Sequence, residues 1–377
     1  MRSGPSAEAD VLERVQQTIA RERLLRAGDR VVLGVSGGPD SVVLLHLFLR
    51  LRSSRQLRMR VVHVDHRLRA DSADDARHVA QLATQWQVPV EVVERDVQSE
   101  CAAQGWSLEE GARRIRYEVL RQVATRHSAH RIVVAHTADD QAETVLMRLL
   151  RGAGLTGLSG MPCARPLGSS TLIRPLLQVW REEILAYAAS HCVSFRHDAS
   201  NTDPRFLRNR LRAQLLPLLE QSYNPNIKAL LAQLANQCRT DLEFVQSLAQ
   251  RQWKRMAKFR HGEWVVRLAS FRRQPEALKR QLIRVAISSF SDEGYAMEFR
   301  HWLEIASLVT DRPVGTVVDL PGGLQVERGA DTLIVRRLAS RSAGASVLDD
   351  GFSSTGSPSS RILTAHLSPM TNAREFP

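Results

Sequence analysis

The stretch Val31-Val32-Leu33-Gly34-Val35-Ser36-Gly37-Gly38-Pro39-Asp40-Ser41 leaves the chain few ways to fold. A β-branched apolar run predicts a buried strand. The Ser-Gly-Gly turn breaks it, and Ser41-Val42-Val43-Leu44-Leu45-His46-Leu47 then reads as a helix. The first amides of a helix have no partner of their own, and glycines let the backbone approach a ligand closely. The turn is therefore a seat for an anion, formed by Ser36, Gly37, Gly38, Pro39, Asp40 and Ser41. No lysine follows the glycines, so this is not the loop that serves γ-phosphate chemistry, and the Gly-x-Gly-x-x-Gly dinucleotide turn is absent too. The anion expected here is the pyrophosphate of a nucleotide. An ordinary glycine-rich strand-to-helix turn is the plainer alternative.

The same alternation continues. Strands are expected at 30–35, 60–64, 90–93 and 131–135, with helices at 41–51, 72–87, 107–126 and 139–150. Apolar strands separated by helices of this length predict an α/β fold, a doubly wound and mostly parallel sheet covered on both faces. In such sheets ligands sit beyond the carboxyl ends of the strands. Residues 1–28 read as an N-terminal helix and 29–222 as the catalytic domain, in which 153–171 is loop and helices lie near 179–190 and 206–219. Tyr223-Asn224-Pro225-Asn226 reads as a break. A second, mainly helical domain is expected over 223–338, helical through about Lys258 and again near 275–289 and 297–308. It closes on a hairpin, 316–320 and 323–337. Residues 339–377 are rich in Ser, Gly and Pro and are predicted to be a disordered tail.

Three clusters fall where strands leave the sheet or helices begin. His63-Val64-Asp65-His66-Arg67-Leu68 ends the second strand. Spacing i, i+3 on a strand suits a metal poorly, so these residues are expected to shape a nucleotide pocket, with a plain strand end as the alternative. In His136-Thr137-Ala138-Asp139-Asp140-Gln141-Ala142-Glu143-Thr144, Asp140 and Glu143 share one face of a helix start. There they either complement the helix dipole or serve chemistry, with His136 in reach of a phosphate or a leaving oxygen. Asp198–Arg210 carries Arg205, Arg208 and Arg210 at a capped helix start, which is either a solvated face or an arginine face for RNA phosphates or the active site. Ser107-Leu108-Glu109-Glu110 fits a capping box opening a helix that carries Arg113, Arg116 and Tyr117, by default an exposed, ion-paired helix. Arg148 and Arg151 before Gly152 read as an ordinary helix end or a substrate contact.

The chain has 377 residues and a formal net charge of +12, with arginine carrying most of the excess. Arginine grips phosphates bidentately and stacks on bases, so a polyanionic partner is expected. Cys101, Cys163, Cys192 and Cys238 are scattered with no Cys-x-x-Cys pair, which suits a reducing compartment. No apolar run reaches the ~18 residues of a membrane span, and Met1-Arg2-Ser3-Gly4-Pro5 leads into a charged helix rather than a signal core. A cytoplasmic protein with no membrane partner is expected.

Ser-Gly-Gly-Pro-Asp-Ser resembles the PP-loop of ATP pyrophosphatases, which cleave ATP between its α and β phosphates. More specifically, residues from about Asp29 to Gln221 resemble the tRNA(Ile)-lysidine synthetases. The resemblance rests on Ser36–Ser41, His63–Leu68, Glu110–Tyr117, His136–Arg151, Arg174-Pro175-Leu176-Leu177 and Asp198–Arg210. Thr137 stands where some members carry a second histidine. The later region is similar, loosely, to the family's first C-terminal tRNA-contacting domain, and the second such domain of longer members is expected to be missing. The resemblance implies ATP and Mg²⁺ as cofactors and two substrates, a tRNA(Ile) with a CAU anticodon and free L-lysine. The reaction it implies starts with adenylation of the wobble cytidine at its 2-oxygen and release of diphosphate. Lysine then attacks C2 and expels AMP. Asp140, Glu143 and His136 are the expected catalytic residues, with Asp140 in Mg²⁺ or amine handling and Glu143 as the second carboxylate, and Arg113, Arg116, Arg205 and Arg208 are expected tRNA or substrate contacts. A homodimer is compatible with the sequence. The competing readings are a PP-loop tRNA thiolase, whose relatives usually present cysteine pairs, a small-molecule amidotransferase, and a non-enzymatic RNA-binding protein with a degenerate nucleotide site.

Overall fold

The computed structural model describes residues 7–68, 72–196, 207–290, 297–338 and 362–364. In chain order the first unit contains α1 (Ala7–Arg21), β1 (Arg30–Gly34), α2 (Pro39–Arg52), β2 (Arg58–Asp65), α3 (Ser72–Gln85), β3 (Val90–Glu94), α4 (Val97–Gln104) and α5 (Leu108–Arg126). It continues through β4 (Arg131–Val133), α6 (Ala138–Leu150), α7 (Leu155–Leu158), β5 (Ala164–Leu167), β6 (Ser170–Ile173), α8 (Arg181–Ser190) and α9 (Leu207–Arg210). A π-helical turn, Leu211–Leu215, leads into α10 (Leu216–Ser222). The helix α11 (Ile227–Met256) follows, and the two compact units divide within it, between Ala235 and Asn236. The second unit holds β7 (Ala257–Arg260), β8 (Glu263–Arg267), α12 (Leu268–Arg272), α13 (Glu276–Ser288), α14 (Phe299–Thr310), β9 (Val317–Leu320), β10 (Leu324–Arg328) and β11 (Thr332–Arg337). The last described element is β12 (Ile362–Thr364).

The first unit is built on a sheet of order β12-β3-β2-β1-β4-β6-β5. From β3 to β6 all neighbours are parallel, and β12 and β5 close the edges antiparallel. Strand alternation sends Val31, Leu33, Val61 and Val133 into a core with α1, α2, α3 and α8. Val32, Val62, Ile132 and Leu172 point the other way, against α4 and α5. Helices thus cover both faces, and the doubly wound reading of the sequence holds. The sheet grows from β1 in one direction through β2 and β3 and in the other through β4 and β6. The carboxyl ends of β1 and β4 therefore flank the point where winding reverses, where ligands of such sheets bind.

The second unit packs α12, α13 and α14 with the end of α11 on a five-stranded antiparallel sheet, β7-β8-β11-β10-β9, around Phe271, Ile283, Trp302, Ile305, Val326 and Val335. The expected closing hairpin is the three-stranded part of this sheet. Sequence pattern carries α11 to about Lys258, into β7, because Ala257-Lys258-Phe259-Arg260 is a mostly exposed edge strand with no apolar face to betray it. The β5–β6 hairpin, expected as loop, is hidden for a related reason, since edge strand β5 contains Pro166 and buries only Leu167 fully. Helix α4, capped by Asp96, is a further element that the sequence pattern does not show. The break at Tyr223–Asn226 separates α10 from α11, yet Leu231 and Ala235 of α11 still pack with Ala142, Val145, Leu146, Leu211 and Leu216. Of the predicted tail, only β12 lies within the described residues. No helix among those residues is long and apolar enough to cross a membrane.

Leu33 is fully buried on the central strand. Leu33→Ala is expected to destabilise the first unit by about 2–5 kcal/mol, read as a lowered denaturant midpoint, while the second unit's transition is unchanged.

Candidate active site at the carboxyl edge of the sheet

After β1 the chain turns through Gly37, whose φ of +93° favours glycine. Gly38 then caps α2 with extended backbone, and Pro39 occupies the first helical turn, where its missing N–H costs nothing. Ser41 is the internal tie. Its hydroxyl donates to the Gly38 carbonyl at 3.0 Å and accepts from the Ser36 amide at 3.1 Å. Ser41's one proton being used, the 3.1 Å contact between the two hydroxyls has Ser36 as donor. The Arg196 amide bonds the Gly37 carbonyl at 3.0 Å from behind. Among the described residues the amides of Gly37, Gly38 and Asp40 have no hydrogen-bond partner, which is the arrangement an anion would complete.

Asp40 is the unusual member of this loop. Its Oδ1 is buried with no hydrogen-bond partner among the described residues. Burial pushes its carboxyl up to about 6, with Arg181 and Arg212 opposing and Asp140 and Asp139 adding to the rise. These interactions also locate it: the loop after β1 and the acidic helix after β4 share one electrostatic neighbourhood.

Beyond β4, Thr137 caps α6. Its hydroxyl accepts from the Asp140 amide at 3.3 Å, and Asp140 Oδ2 accepts from the Thr137 amide at 2.9 Å, a reciprocal capping box. Asp139 Oδ2 accepts from the Arg181 amide at 2.8 Å, pinning α6 to the start of α8. Gln141 holds both the amide and the carbonyl of Met161, at 2.7 and 3.1 Å. Arg148 donates to the carbonyls of Gly157 and Gly160 at 2.9 and 2.8 Å and so braces α7. His136 accepts at Nδ1 from Arg174 Nε at 3.2 Å. Burial holds this imidazole well below its usual range. Asp140 opposes that shift, whereas Arg174, Arg208 and Arg113 reinforce it.

Two guanidiniums meet the two carboxylates of α6. Arg208 reaches Glu143 Oε2 at 2.7 Å and Asp140 Oδ1 at 2.8 Å. Arg212 reaches Glu143 Oε1 at 2.6 Å and Oε2 at 2.9 Å, and Asp140 Oδ1 at 3.5 Å. Glu143 is only 2 % exposed, so this pairing is what makes its burial tolerable. Burial would raise Asp140, but Arg208, His136, the Thr137 amide and Arg212 outweigh it and hold the carboxyl below its ordinary value. Arg208 and Arg212 lie four residues apart across the π-helical turn, which ends just before Pro217, a residue with no N–H to continue the ladder.

A PP-loop domain family matches residues 8–219. A tRNA(Ile)-lysidine synthase of Geobacter sulfurreducens is 38 % identical over 336 residues, covering 87 % of this chain and 70 % of that protein. One from Clostridioides difficile is 32 % identical over 327 residues, covering 86 % and 70 %. The chain belongs to the tRNA(Ile)-lysidine synthase family. Its fold is also similar to that of the U34-tRNA thiolase NcsA from Methanococcus maripaludis. That likeness has a TM-score of 0.52 at 17 % identity, spans 61 % of this chain and 79 % of that one, and speaks for the fold alone.

For a lysidine synthase family member, the sequence-predicted residues land as follows. Ser36–Ser41, His136, Asp140 and Glu143 gather at the switch point. Arg208 joins them from α9 as the partner of both carboxylates. Arg205 lies outside the described residues. Arg113, on the exposed face of α5, stacks with Arg165 on the Tyr117 ring (5.4 and 4.9 Å from its centroid). Arg116 acts electrostatically on His63 and His66 at the end of β2. Thr137 supplies the α6 cap. Sequence reasoning missed Arg212, Arg174 and the orphaned oxygen of Asp40. Arg212 was legible only as the i+4 neighbour of Arg208. Arg174 opens the Arg174-Pro175-Leu176-Leu177 motif, but nothing in its sequence surroundings betrays a buried guanidinium.

A carboxyl whose folded value is raised loses stability as pH climbs from its unfolded value of 3.8 through about 6. Asp40→Asn is therefore expected to stabilise the nucleotide-free first unit by about 2 kcal/mol near pH 8 and by almost nothing near pH 4. Thermal unfolding at the two pH values checks this.

Proposed function

We propose that the chain makes lysidine: it adenylates the 2-oxygen of the wobble cytidine in a CAU-anticodon tRNA(Ile) with ATP, releases diphosphate, and lets free L-lysine displace AMP at C2. The observation that carries this reading is the meeting of the Ser36–Ser41 loop with His136, Asp140 and Glu143 at the winding reversal, in a member of the lysidine synthase family. The free amides of the loop hold the phosphates of ATP at the α2 N-terminus and stabilise charge on the departing diphosphate. His136, neutral and facing the same space, bonds a phosphate or leaving oxygen.

Mg²⁺ suits this site best at Asp40. Both Asp140 oxygens are already engaged, by Thr137 and by Arg208, whereas Asp40 presents a buried unpartnered oxygen, with Arg181, Asp140, Arg212 and Asp139 as its charged neighbours. A carboxylate plus phosphate oxygens and water is the donor set Mg²⁺ favours. When bound, the ion neutralises charge on the phosphates. The Asp140–Glu143 pair is the lysine seat in this reading. Arg208 and Arg212 now neutralise both carboxylates, so the substrate's ammonium takes its place at Asp140, with Glu143 as the second carboxylate, only by displacing a guanidinium from them.

Contact with the body of the tRNA is assigned to the second unit. Arg251, Lys254, Arg255, Lys258 and Arg260 are exposed at the end of α11 and along β7, beside the exposed ring of Phe259. Cations beside an aromatic face suit phosphates and bases together.

Incubation with ATP, labelled lysine and a CAU-anticodon tRNA is expected to place label in the RNA, with diphosphate release requiring both ATP and tRNA. Modification of the tRNA that requires a sulfur donor rather than lysine, or diphosphate release indifferent to tRNA, counts against the reading. Asp140→Asn is expected to cut turnover by about 100-fold or more, and near-normal turnover removes Asp140 from the chemistry. Charge reversal at Lys254, Arg255 and Lys258 should weaken tRNA binding and flatten its salt dependence by about one unit of slope for each phosphate no longer neutralised. An unchanged slope removes this surface from the RNA path.

A further inference from the structure

We propose that Arg174 is a positioning residue that fixes the tautomer of His136, so that a neutral imidazole offers its Nε2–H as a standing hydrogen-bond donor to the oxygen that gains negative charge during adenylyl transfer. The inference rests on the adenylation reading above and assigns a task to a residue which that reading leaves idle.

A guanidinium N–H can only donate. Arg174 Nε lies 3.2 Å from His136 Nδ1, so Nδ1 carries a lone pair and the ring's single proton sits on Nε2. His136 is only partly buried, and its Nε2 has no hydrogen-bond partner among the described residues, which leaves that N–H to a substrate oxygen in this proposal. Among the described residues Asp140 is the carboxylate that acts on the ring, and its oxygens are taken by Thr137 and Arg208.

Arg174 is a costly residue to keep for any lesser purpose. It is 1 % exposed and among the largest fully buried side chains in the protein. Burial and neighbouring cations hold its guanidinium below its usual value, with Tyr117 opposing. It is locked by the Pro162 carbonyl at 2.8 Å and by a side-chain bond to Tyr117, so its Nε is aimed rather than mobile. The groups facing His136 are Asp140 from α6, Arg174 after β6, Arg208 from α9 and Arg113 from α5. Burial first, with the three cations reinforcing it against Asp140, keeps a second proton off the ring. Nδ1, the position where a proton could otherwise sit, is the atom Arg174 occupies.

A neutral donor is what this step needs. An imidazolium would bind the triphosphate of the ground state as tightly as the transition state, gaining affinity rather than rate. A fixed neutral N–H costs no reorganisation when charge shifts onto the reacting oxygens. No proton leaves His136 in this scheme; the hydrogen bond shortens as charge develops and lengthens afterwards.

The test is ¹⁵N NMR of histidine-labelled full chain without nucleotide, with His136→Gln assigning the resonance. The wild type is expected to show a bare Nδ1 and a protonated Nε2 that persist from about pH 8 down to about pH 5. Arg174→Met should yield mixed tautomers and a ring that titrates nearer neutrality. Its kcat should fall about 100-fold with little change in KM for ATP, and the acid limb of the rate profile should move to higher pH. Arg174→Lys, which keeps a buried donor, should restore part of both signatures and serves as the second variant if the Met protein does not fold. A wild-type spectrum with the proton on Nδ1 overturns the proposal. So does an Arg174→Met protein that is merely less stable, with tautomer and pH profile unmoved. A wild type with the expected spectrum that leaves CAU-anticodon tRNA unmodified instead overturns the functional reading, and the tautomer assignment stands.

Discussion

β1 and β4 lie side by side, parallel and in register at Val31–Arg131, Val32–Ile132 and Leu33–Val133, and the rest of the site depends on that pairing. Consecutive strands usually neighbour one another, but here the chain lays β2 and β3 on one side of β1 before returning to its other side with β4. Two loops far apart in sequence leave the sheet next to each other as a result. One supplies unpaired amides and the other a capped acidic helix. Neither could bind a nucleotide and drive its chemistry alone. The pairing is enforced by burial, because the side chains of both strands alternate between two dry cores and a slip by one residue would exchange them.

At that edge the structure sorts similar residues into different duties. Four acidic side chains converge, yet each has its own partner set. Asp139 anchors α8, Asp140 closes the helix cap and takes Arg208, and Glu143 is buried against two arginines. Asp40 has none of these and is raised accordingly. A carboxyl left unpaired under desolvation is a place where a cation would be welcome, whereas one clamped between guanidiniums is already neutralised. The arginines make the same point from the other side. Arg148 braces a turn, Arg208 and Arg212 balance charge, and Arg174 touches a histidine. Overall positive charge would have assigned all of them to RNA.

The histidine and its arginine illustrate how such a site is tuned without changing residue type. Burial alone would keep His136 neutral, but it would not choose which nitrogen bears the proton. A donor fixed on one side of the ring makes that choice, in the way outer partners orient metal-bound histidines. Arg174 can be rigid because β6, the neighbour of β4, ends just before it.

Sequence by itself determined the periodic elements, the anion-seating turn and the face shared by Asp140 and Glu143, because each depends on residues within a few positions of one another. Strand periodicity, a glycine at positive φ and i, i+3 spacing are local properties. The sequence also contained β5, β7 and α4, but short edge strands with exposed side chains and a brief capped helix carry too little apolar pattern to be read. Only the tertiary structure decided that Arg208 and Arg212 neutralise Glu143, that Arg174 is buried against His136, and that Asp40 keeps a bare oxygen. Those facts depend on which groups are desolvated together, and desolvation is set by elements separated along the chain and joined only by packing.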